Sequence, residues 1–404
     1  MAFAYVLSGG QVYSDASIVH EFEHDFAHAT GRQHAIAFGA GRVALYAILR
    51  ASGIQAGDEV ILPGFTCVVV PNAVVYAGAI PIYVDVEPES WCINPAQVAA
   101  TITPRTKAII AQHTFGAFAD VVGLRALARE HNLLLIEDCA HALGGRYQGT
   151  QAGSVGHASY FTTEQSKLIS TIMGGVAVTD DSQLAEQLRA QQVSAISPSQ
   201  LETARLALKL IAQYILANPW NYAWGKRLIR ILEQRLGAST TVAEIQGSMP
   251  GRFVRAMSPF QAAIGLQQLQ TLSKNLGWRR EIATAYRQIL KEYGLQTNDT
   301  YGATSEPAYI RYAFLVDKRE AWQWAFRDIG VELGEWFNDP IHPKGSCHRA
   351  AHYYSGTCPT AEFLADHVVN LPTHMNVNKT DVHRIGIAVR QMQLKQATHL
   401  CVPL

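Results

Sequence analysis

Charge of neither sign is in excess in this chain: 33 Lys and Arg balance 33 Asp and Glu over 404 residues. That neutrality argues against a general nucleic-acid binder, which carries a basic excess on its binding face. It also removes one brake on self-association. Long apolar runs are missing as well. No stretch of about 18 or more apolar residues occurs, so no membrane-spanning helix is expected. The opening segment, MAFAYVLSGGQVYSDASIVHEF, has no basic residues ahead of an apolar core and does not read as a signal peptide. Cysteine is scarce: Cys67, Cys92, Cys139, Cys347, Cys358 and Cys401, with no C-x-x-C pair among them. That excludes a disulfide framework and makes a reducing, cytoplasmic compartment the expectation. Internal repeats and low-complexity tracts are absent too.

What is present is an apolar share of 48%, enough for a sizeable core. The length suits one large domain and a smaller one. From about Gly39 to Asp181 short β-branched runs (DEVILP, IPIYVDV, TKAIIAQH, NLLLIED) alternate with helical stretches such as GRVALYAILRAS and VVGLRALAREH. TCVVVPNAVVYAG reads as a further helix despite its valines. This alternation predicts an α/β fold with a mostly parallel sheet and helices on both faces. Ligands of such sheets sit beyond the carboxyl ends of the strands. We expect a large domain over 1–275, with a helical, apolar insertion over about 191–250, and a small C-terminal α/β domain over 276–404. The second region should hold a strand at YIRYAFLV and a helix near KREAWQWAFRDIG.

Chemistry is foreshadowed in LLLIEDCAHALGG, where Asp138 closes an apolar strand and His141 follows. An acid at a strand end is as readily a helix cap. Lys167, in a second strand-end loop just before Gly174 and Gly175, changes that balance. A buried carboxylate and a lysine converging on one crevice suit pyridoxal phosphate: the lysine takes the aldehyde as a Schiff base, and the carboxylate keeps the pyridine nitrogen protonated. Gly39 and Gly41 stand at a helix start, a ready anion site, although a plain tight turn is the commoner meaning of such a pair. Arg42 would add charge there, and Thr162 a hydroxyl.

Over nearly its whole length the chain resembles the DegT/DnrJ-type (StrS-like) aminotransferases. The resemblance lies in GAGRVAL, DEVILPGFTCVVVPNAVVYAGAIPIYVDV, QHTFGAFADV, LLLIEDCAHALGGRYQG, GSVGHASYFTTEQSK, GGVAVTD, QAAIGLQQL and LPTH. It implies a fold-type I pyridoxal phosphate transferase with a seven-stranded type of sheet sandwiched by helices, acting as a homodimer. Lys167 then matches the Schiff-base lysine and Asp138 the pyridinium partner. His141 matches the residue beside the cofactor's phenolic oxygen, and Gly41, Arg42 and Thr162 the phosphate positions. The implied reaction is ping-pong: an amino-acid donor, usually glutamate, gives its amino group to a keto sugar, commonly nucleotide-linked, with Lys167 moving the proton as base and acid. Polysaccharide, glycan or antibiotic sugar biosynthesis is the implied setting.

The pattern also departs from the family. Cys67 stands where an aromatic often stacks on the cofactor, with Phe65 as a candidate substitute. Arg42 replaces a Thr or Ser, and Val254 stands where an Asn commonly reaches the neighbouring subunit. Phe65 and His113 are candidate substrate contacts, though His113 suits a satisfied core position nearly as well. Cys347, His348, His352 and Cys358 match no zinc spacing, and no metal is expected. The apolar helical stretch 201–237, with Trp220, Tyr222 and Trp224 beside Lys226 and Arg227, reads first as a packing or dimer-contact helix. A weak membrane-surface contact is its alternative use. Competing functions are a dehydratase, in which the family replaces the lysine with histidine, a transferase for a non-sugar carbonyl such as an aminocyclitol ketone, and a non-catalytic regulator.

Overall fold

The computed structural model describes residues 1–11, 13–216, 240–299 and 305–400. Aliphatic runs too short for stable helices form β1 (His34–Phe38), β2 (Glu59–Pro63), β3 (Ile80–Val84), β4 (Thr106–Gln112), β5 (Leu134–Asp138), β6 (Ala158–Thr162) and β7 (Gly175–Thr179). They make one sheet in the order β1-β7-β6-β5-β4-β2-β3. Neighbours pair in parallel except at β7, which is antiparallel to both β1 and β6. The predicted mostly parallel, seven-stranded sheet is therefore the one observed.

Alternate side chains leave opposite faces of a strand, and here both faces are covered. Ile61, Ile109 and Leu135 join one core with Leu124 and Ala128 of the helix Val121–Glu130. Val60, Leu62, Ile110 and Ile136 join the other with Val43, Ala47 and Ile48 of the helix Gly41–Ala51. Double coverage explains why the strands read as continuous apolar runs.

A second, two-stranded antiparallel sheet, β8 (Arg311–Leu315) and β9 (Val368–Pro372), lies with the helix Arg319–Asp328 in the later region. The strand and helix expected there are thus present. No linker marks the expected boundary at 275/276. The helix Leu272–Glu292 runs through it, its first turns packing Leu272 and Leu276 beside Phe22 and Phe26. Farther along, Ile282, Tyr286 and Leu290 join Phe314 and Trp322.

TCVVVPNAVVYAG is not one helix. Thr66–Cys67 pairs in parallel with Ile341–His342, and the helix begins only at Val69. Pro71 then falls in the first turn, where a missing N–H costs no intrahelical bond. The Thr66 N–H donates to the Pro340 carbonyl (2.9 Å) and the Val68 N–H to that of His342 (2.7 Å). This short pairing draws residues 336–343 onto the end of the large sheet.

Of the apolar stretch 201–237, the structure describes the helix Gln200–Leu216. It packs Ala207 beside Phe260 and Ile264 and leaves Leu201, Leu208 and Ile215 exposed. Residues 217–237, with Trp220, Tyr222, Trp224, Lys226 and Arg227, lie outside the described residues. Among the described residues no helix is long and apolar enough to cross a membrane.

Gly175, at the start of β7, faces the first turn of the helix Gly41–Ala51; a Cβ there would stand 2.3 Å from Gly41 Cα. Backbone cannot yield as a flexible side chain does. Gly175→Ala should lower unfolding stability by about 1–3 kcal/mol in urea titrations. Gly251→Ala, into open space, should stay within about 0.5 kcal/mol.

Candidate active site

The carboxyl ends of β4, β5 and β6 lie side by side, Gln112 in register with Asp138 and Asp138 with Tyr160. Above them opens a cleft of about 360 Å³ with Gly41, Arg42, Cys67, Asp138, His141, Thr162 and Lys167 in its wall. Strand ends thus gather residues spread over more than 120 positions of chain, a gathering that the parallel topology makes possible.

Lys167 stands on the loop between β6 and β7, and that loop is held from several sides. The Thr163 N–H donates to the Gly174 carbonyl (2.9 Å), and the Thr171 N–H to that of Thr163 (2.8 Å). Asn275 Nδ2 donates to the Leu168 carbonyl (2.8 Å), and Gln268 Oε1 accepts the Ser170 N–H (2.9 Å). Ile172 is held at φ 72°, a conformation costing a β-branched residue roughly 1–3 kcal/mol. The surrounding bonds over-determine the loop and keep that strain in place.

Burial pushes the Lys167 amine below the ordinary lysine range, against the opposing pull of Glu164, Cys67 and Asp138. Its Nζ lies 4.6 Å from the centre of the Trp336 ring, whose negative face favours the cation. Burial pushes the Asp138 carboxyl up; its Oδ1 accepts the Ala140 N–H (2.9 Å), and Tyr160 hydrogen-bonds it. A further cationic N–H donor would relieve that desolvation. Burial, then the charges of Lys167 and Arg311, hold His141 well below the usual histidine range. Its Nδ1 accepts the Phe115 N–H (3.2 Å), so in the neutral ring Nε2 carries the proton. The ring lies between Phe115 (5.7 Å) and Trp336 (5.4 Å, 9° from parallel).

The helix Gly41–Ala51 starts without a side-chain cap, leaving first-turn N–H groups for an anion. Gly41 is required there: a Cβ would stand 2.6 Å from Thr162 Cβ. Arg42 faces the Glu244 carboxylate at 2.5 Å, a charge contact without hydrogen-bond alignment, so its Nε is buried with no hydrogen-bond partner.

Two expected residues fall elsewhere. His113 follows Gln112 by one position, so the pleat turns it away from the cleft that Gln112 lines. Its Nε2 is 3.0 Å from Glu137 Oε2, and its Nδ1 accepts the Ala119 N–H (3.3 Å). The satisfied core position is the one found, and His113 is withdrawn as a substrate contact. Phe65 is fully buried against Trp91, Phe115 and Phe337. It backs Phe337 rather than facing the cleft, so it supplies no stacking in place of Cys67. Among the described residues, His113, Glu137 and Cys139 are the one grouping close enough to share a metal. Glu137 there already accepts the N–H groups of Gly153, Val155 and Gly156. Of the expected interfacial segment, Val254 offers its carbonyl to the Ile196 N–H (3.0 Å).

Sequence reasoning missed Trp336, Phe337 and His342, which close the cleft from the later region. Their signal is the non-periodic mixture EWFNDPIHP, aromatic residues set among turn formers. Nothing in it discloses which strand end it will cover.

The model of the DegT/DnrJ/EryC1/StrS aminotransferase family matches residues 1–212 and 226–390. The chain belongs to that family. The GDP-perosamine synthase of Caulobacter vibrioides is 30% identical over 375 residues, 92% of this chain and 89% of that one. The L-glutamine:2-deoxy-scyllo-inosose aminotransferase of Streptoalloteichus tenebrarius is 32% identical over 292 residues, 72% of this chain and 61% of that one. Among solved structures, a DegT/DnrJ/EryC1/StrS aminotransferase from Brucella abortus superposes with a TM-score of 0.76. It is 25% identical and covers 97% of this chain and 94% of that one. Fold-type I aminotransferases of this family generally use pyridoxal phosphate, and the cleft fits that group. It offers an uncapped helix start for a phosphate, a desolvated buried carboxylate for a protonated ring nitrogen, and an amine shifted toward its neutral form.

Glu164 is the strongest opposing influence on the Lys167 amine. In the cofactor-free chain that amine should titrate below 10.5, the ordinary value, and lower still in Glu164→Gln, where loss of the negative charge disfavours the ammonium. NMR titration of lysine-labelled protein, with Lys167→Ala assigning the signal, checks both. Identical midpoints in wild type and Glu164→Gln would contradict the assignment.

Proposed function

We propose that this chain is a pyridoxal-phosphate-dependent aminotransferase that moves an amino group from an amino acid, glutamate or glutamine, to a keto sugar carried on a nucleotide. The observation that carries the reading is the convergence of Lys167, Asp138 and His141, each with a shifted proton affinity, on one cleft beside an uncapped helix start. The relative that makes a GDP-linked amino sugar supports the acceptor class.

The residues divide the work. The first-turn N–H groups after Ala40, with Thr162 and Arg42, would hold the phosphate. Asp138 would keep the ring nitrogen protonated, and the Nε2–H of His141 would donate to the ring's oxygen substituent. When bound, pyridoxal phosphate supplies an electron sink through which the donor's amino group is exchanged for a carbonyl oxygen. Lys167 would anchor the cofactor, and its free amine would take a proton from the donor's α-carbon. Its desolvation makes that possible, since an ammonium has no lone pair to accept one. Trp336 and Phe337 cover the cleft and exclude water. In the second half-reaction the same amine returns a proton to the sugar carbon, so donor and acceptor alternate at one site. Lys167 stands where a dehydratase of the family would have histidine. A cofactor-binding regulator would not need the proton-transfer set. The cyclitol-aminating relative makes an inosose the competing acceptor.

Single-turnover tests discriminate these. Protein loaded with pyridoxal phosphate should lose its visible absorbance on adding glutamate or glutamine and regain it with a nucleotide-linked keto sugar. Asp138→Asn should slow both steps by roughly 10²-fold or more, the usual range for losing a group that tunes proton transfer. Recovery with scyllo-inosose alone would replace the sugar-nucleotide reading. No response to any amino acid would overturn amino transfer.

A further inference from the structure

Two cations lie over one indole. The centre of the Trp336 ring is 4.6 Å from Lys167 Nζ and 4.4 Å from Arg311 Cζ. The two distances together keep the ammonium and the guanidinium within 9.0 Å of each other. A guanidinium over an indole is often packing and nothing more. Here the same ring also closes the cleft of Lys167 and lies nearly parallel to His141.

The fold builds this stack from one pair of strands. Arg311 opens β8, in register with Pro372 of β9. Asn370, fully buried in β9, grips the Trp336 backbone from both sides. Its Oδ1 accepts the Trp336 N–H (3.1 Å), and its Nδ2 donates to the Trp336 carbonyl (2.7 Å). The Gly334 N–H donates to the Asn370 carbonyl (2.8 Å), and the Asn370 N–H to that of Gly334 (3.1 Å). A Cβ on Gly334 would stand 2.6 Å from Arg311 Nη1, so the glycine leaves the guanidinium its place. The cation and the ring beneath it are thus fixed together.

Glu164, in the cleft wall, is the carboxylate that pulls hardest on both cations. The Ser166 N–H (3.1 Å) and hydroxyl both donate to it. Cys67 and Asp138 also face the amine, and Glu332 faces the guanidinium. His141 and His342 feel both cations. Burial, first of all, takes His141 well below the usual histidine range and His342 down to about 4, so neither adds charge at neutral pH. Arg311 is the positive charge that opposes the ammonium of Lys167. A like charge favours the neutral amine, and a guanidinium supplies that push without losing its own proton.

We infer that Arg311 is a positioning residue for the amine of Lys167: it seats the Trp336 ring beside that amine and opposes its positive charge through space. The basicity of the amine then depends on how the later region of the chain is seated on the large sheet. The inference rests on Lys167 being the group that carries the proton in the proposed amino transfer.

NMR titration of the lysine-labelled full chain, with Lys167→Ala assigning the signal, tests it without cofactor or donor. Arg311→Met keeps an aliphatic chain over the ring and removes the charge. It should raise the Lys167 midpoint by about half a pH unit or more. Arg311→Lys, which keeps the charge, should stay closer to wild type than to Arg311→Met. Thermal melts identify a variant that has merely unfolded, and Arg311→Gln, neutral but polar, then replaces Arg311→Met. An unchanged or lowered midpoint in a folded variant without the charge would overturn the proposal. So would equal midpoints in Arg311→Lys and Arg311→Met, which would assign Arg311 to packing alone. The absorbance response of the loaded protein to glutamate or glutamine is a separate reading. A chain whose Lys167 midpoint moves with Arg311 but that never responds to an amino donor overturns the amino transfer and leaves the role of Arg311 standing.

Discussion

The amine of Lys167 is held out of water, and the rest of the cleft depends on that desolvation. In bulk solvent it would stay an ammonium and could accept no proton. In the cleft, burial lowers its proton affinity, and Glu164, Cys67 and Asp138 pull the other way. The balance is kept by a rigid surround. The loop from Thr163 to Gly174 is bonded across its own base and to Gln268 and Asn275 from outside. Gln261 also donates to the Met173 carbonyl. A loose loop would let the side chain reach solvent and recover its ordinary basicity.

The same desolvation falls on its neighbours with opposite consequences. It raises the Asp138 carboxyl and lowers His141, so both charged forms are disfavoured unless a complementary group arrives. A protonated ring nitrogen would serve the first, and an oxygen acceptor would serve the neutral Nε2–H of the second. The cleft is thus less stable alone than complexed, the usual trade of stability for function. Its cover comes from the far end of the chain. The parallel pairing of Thr66–Cys67 with Ile341–His342 is two residues long, yet it seats Trp336 against His141 and near Lys167. Cys67, the departure in family pattern, lies in the wall of that cleft and at this seam, with Trp336 supplying an aromatic surface from the other region.

Strand ends were the legible part of the molecule. β2, β4 and β5 announce themselves as apolar runs, and Asp138 closes one of them, because parallel strands are buried on both faces and need no polar alternation. Gly41 was legible as a helix-start glycine and Thr162 as a hydroxyl near a strand end, while the contact between them that admits no Cβ appears only in three dimensions. His113 misled because a histidine after a strand looks functional, whereas one residue of pleat decides which face it joins. Phe65 misled similarly, its ring turning into an aromatic cluster. Trp336 could not be placed at all from sequence, since its position depends on a two-residue pairing across more than 270 positions. The boundary at 275/276 was illegible for a related reason: one helix serves both cores, Leu276 in the first and Ile282 in the second.

The central claim is that Lys167 is the amine that holds the cofactor. Borohydride reduction of the pyridoxal-phosphate-loaded protein, followed by proteolysis and mass spectrometry, tests it most directly. The account predicts a phosphopyridoxyl mass on the peptide containing Lys167, lost in Lys167→Ala. The label on another lysine, or retained unchanged in Lys167→Ala, would contradict it.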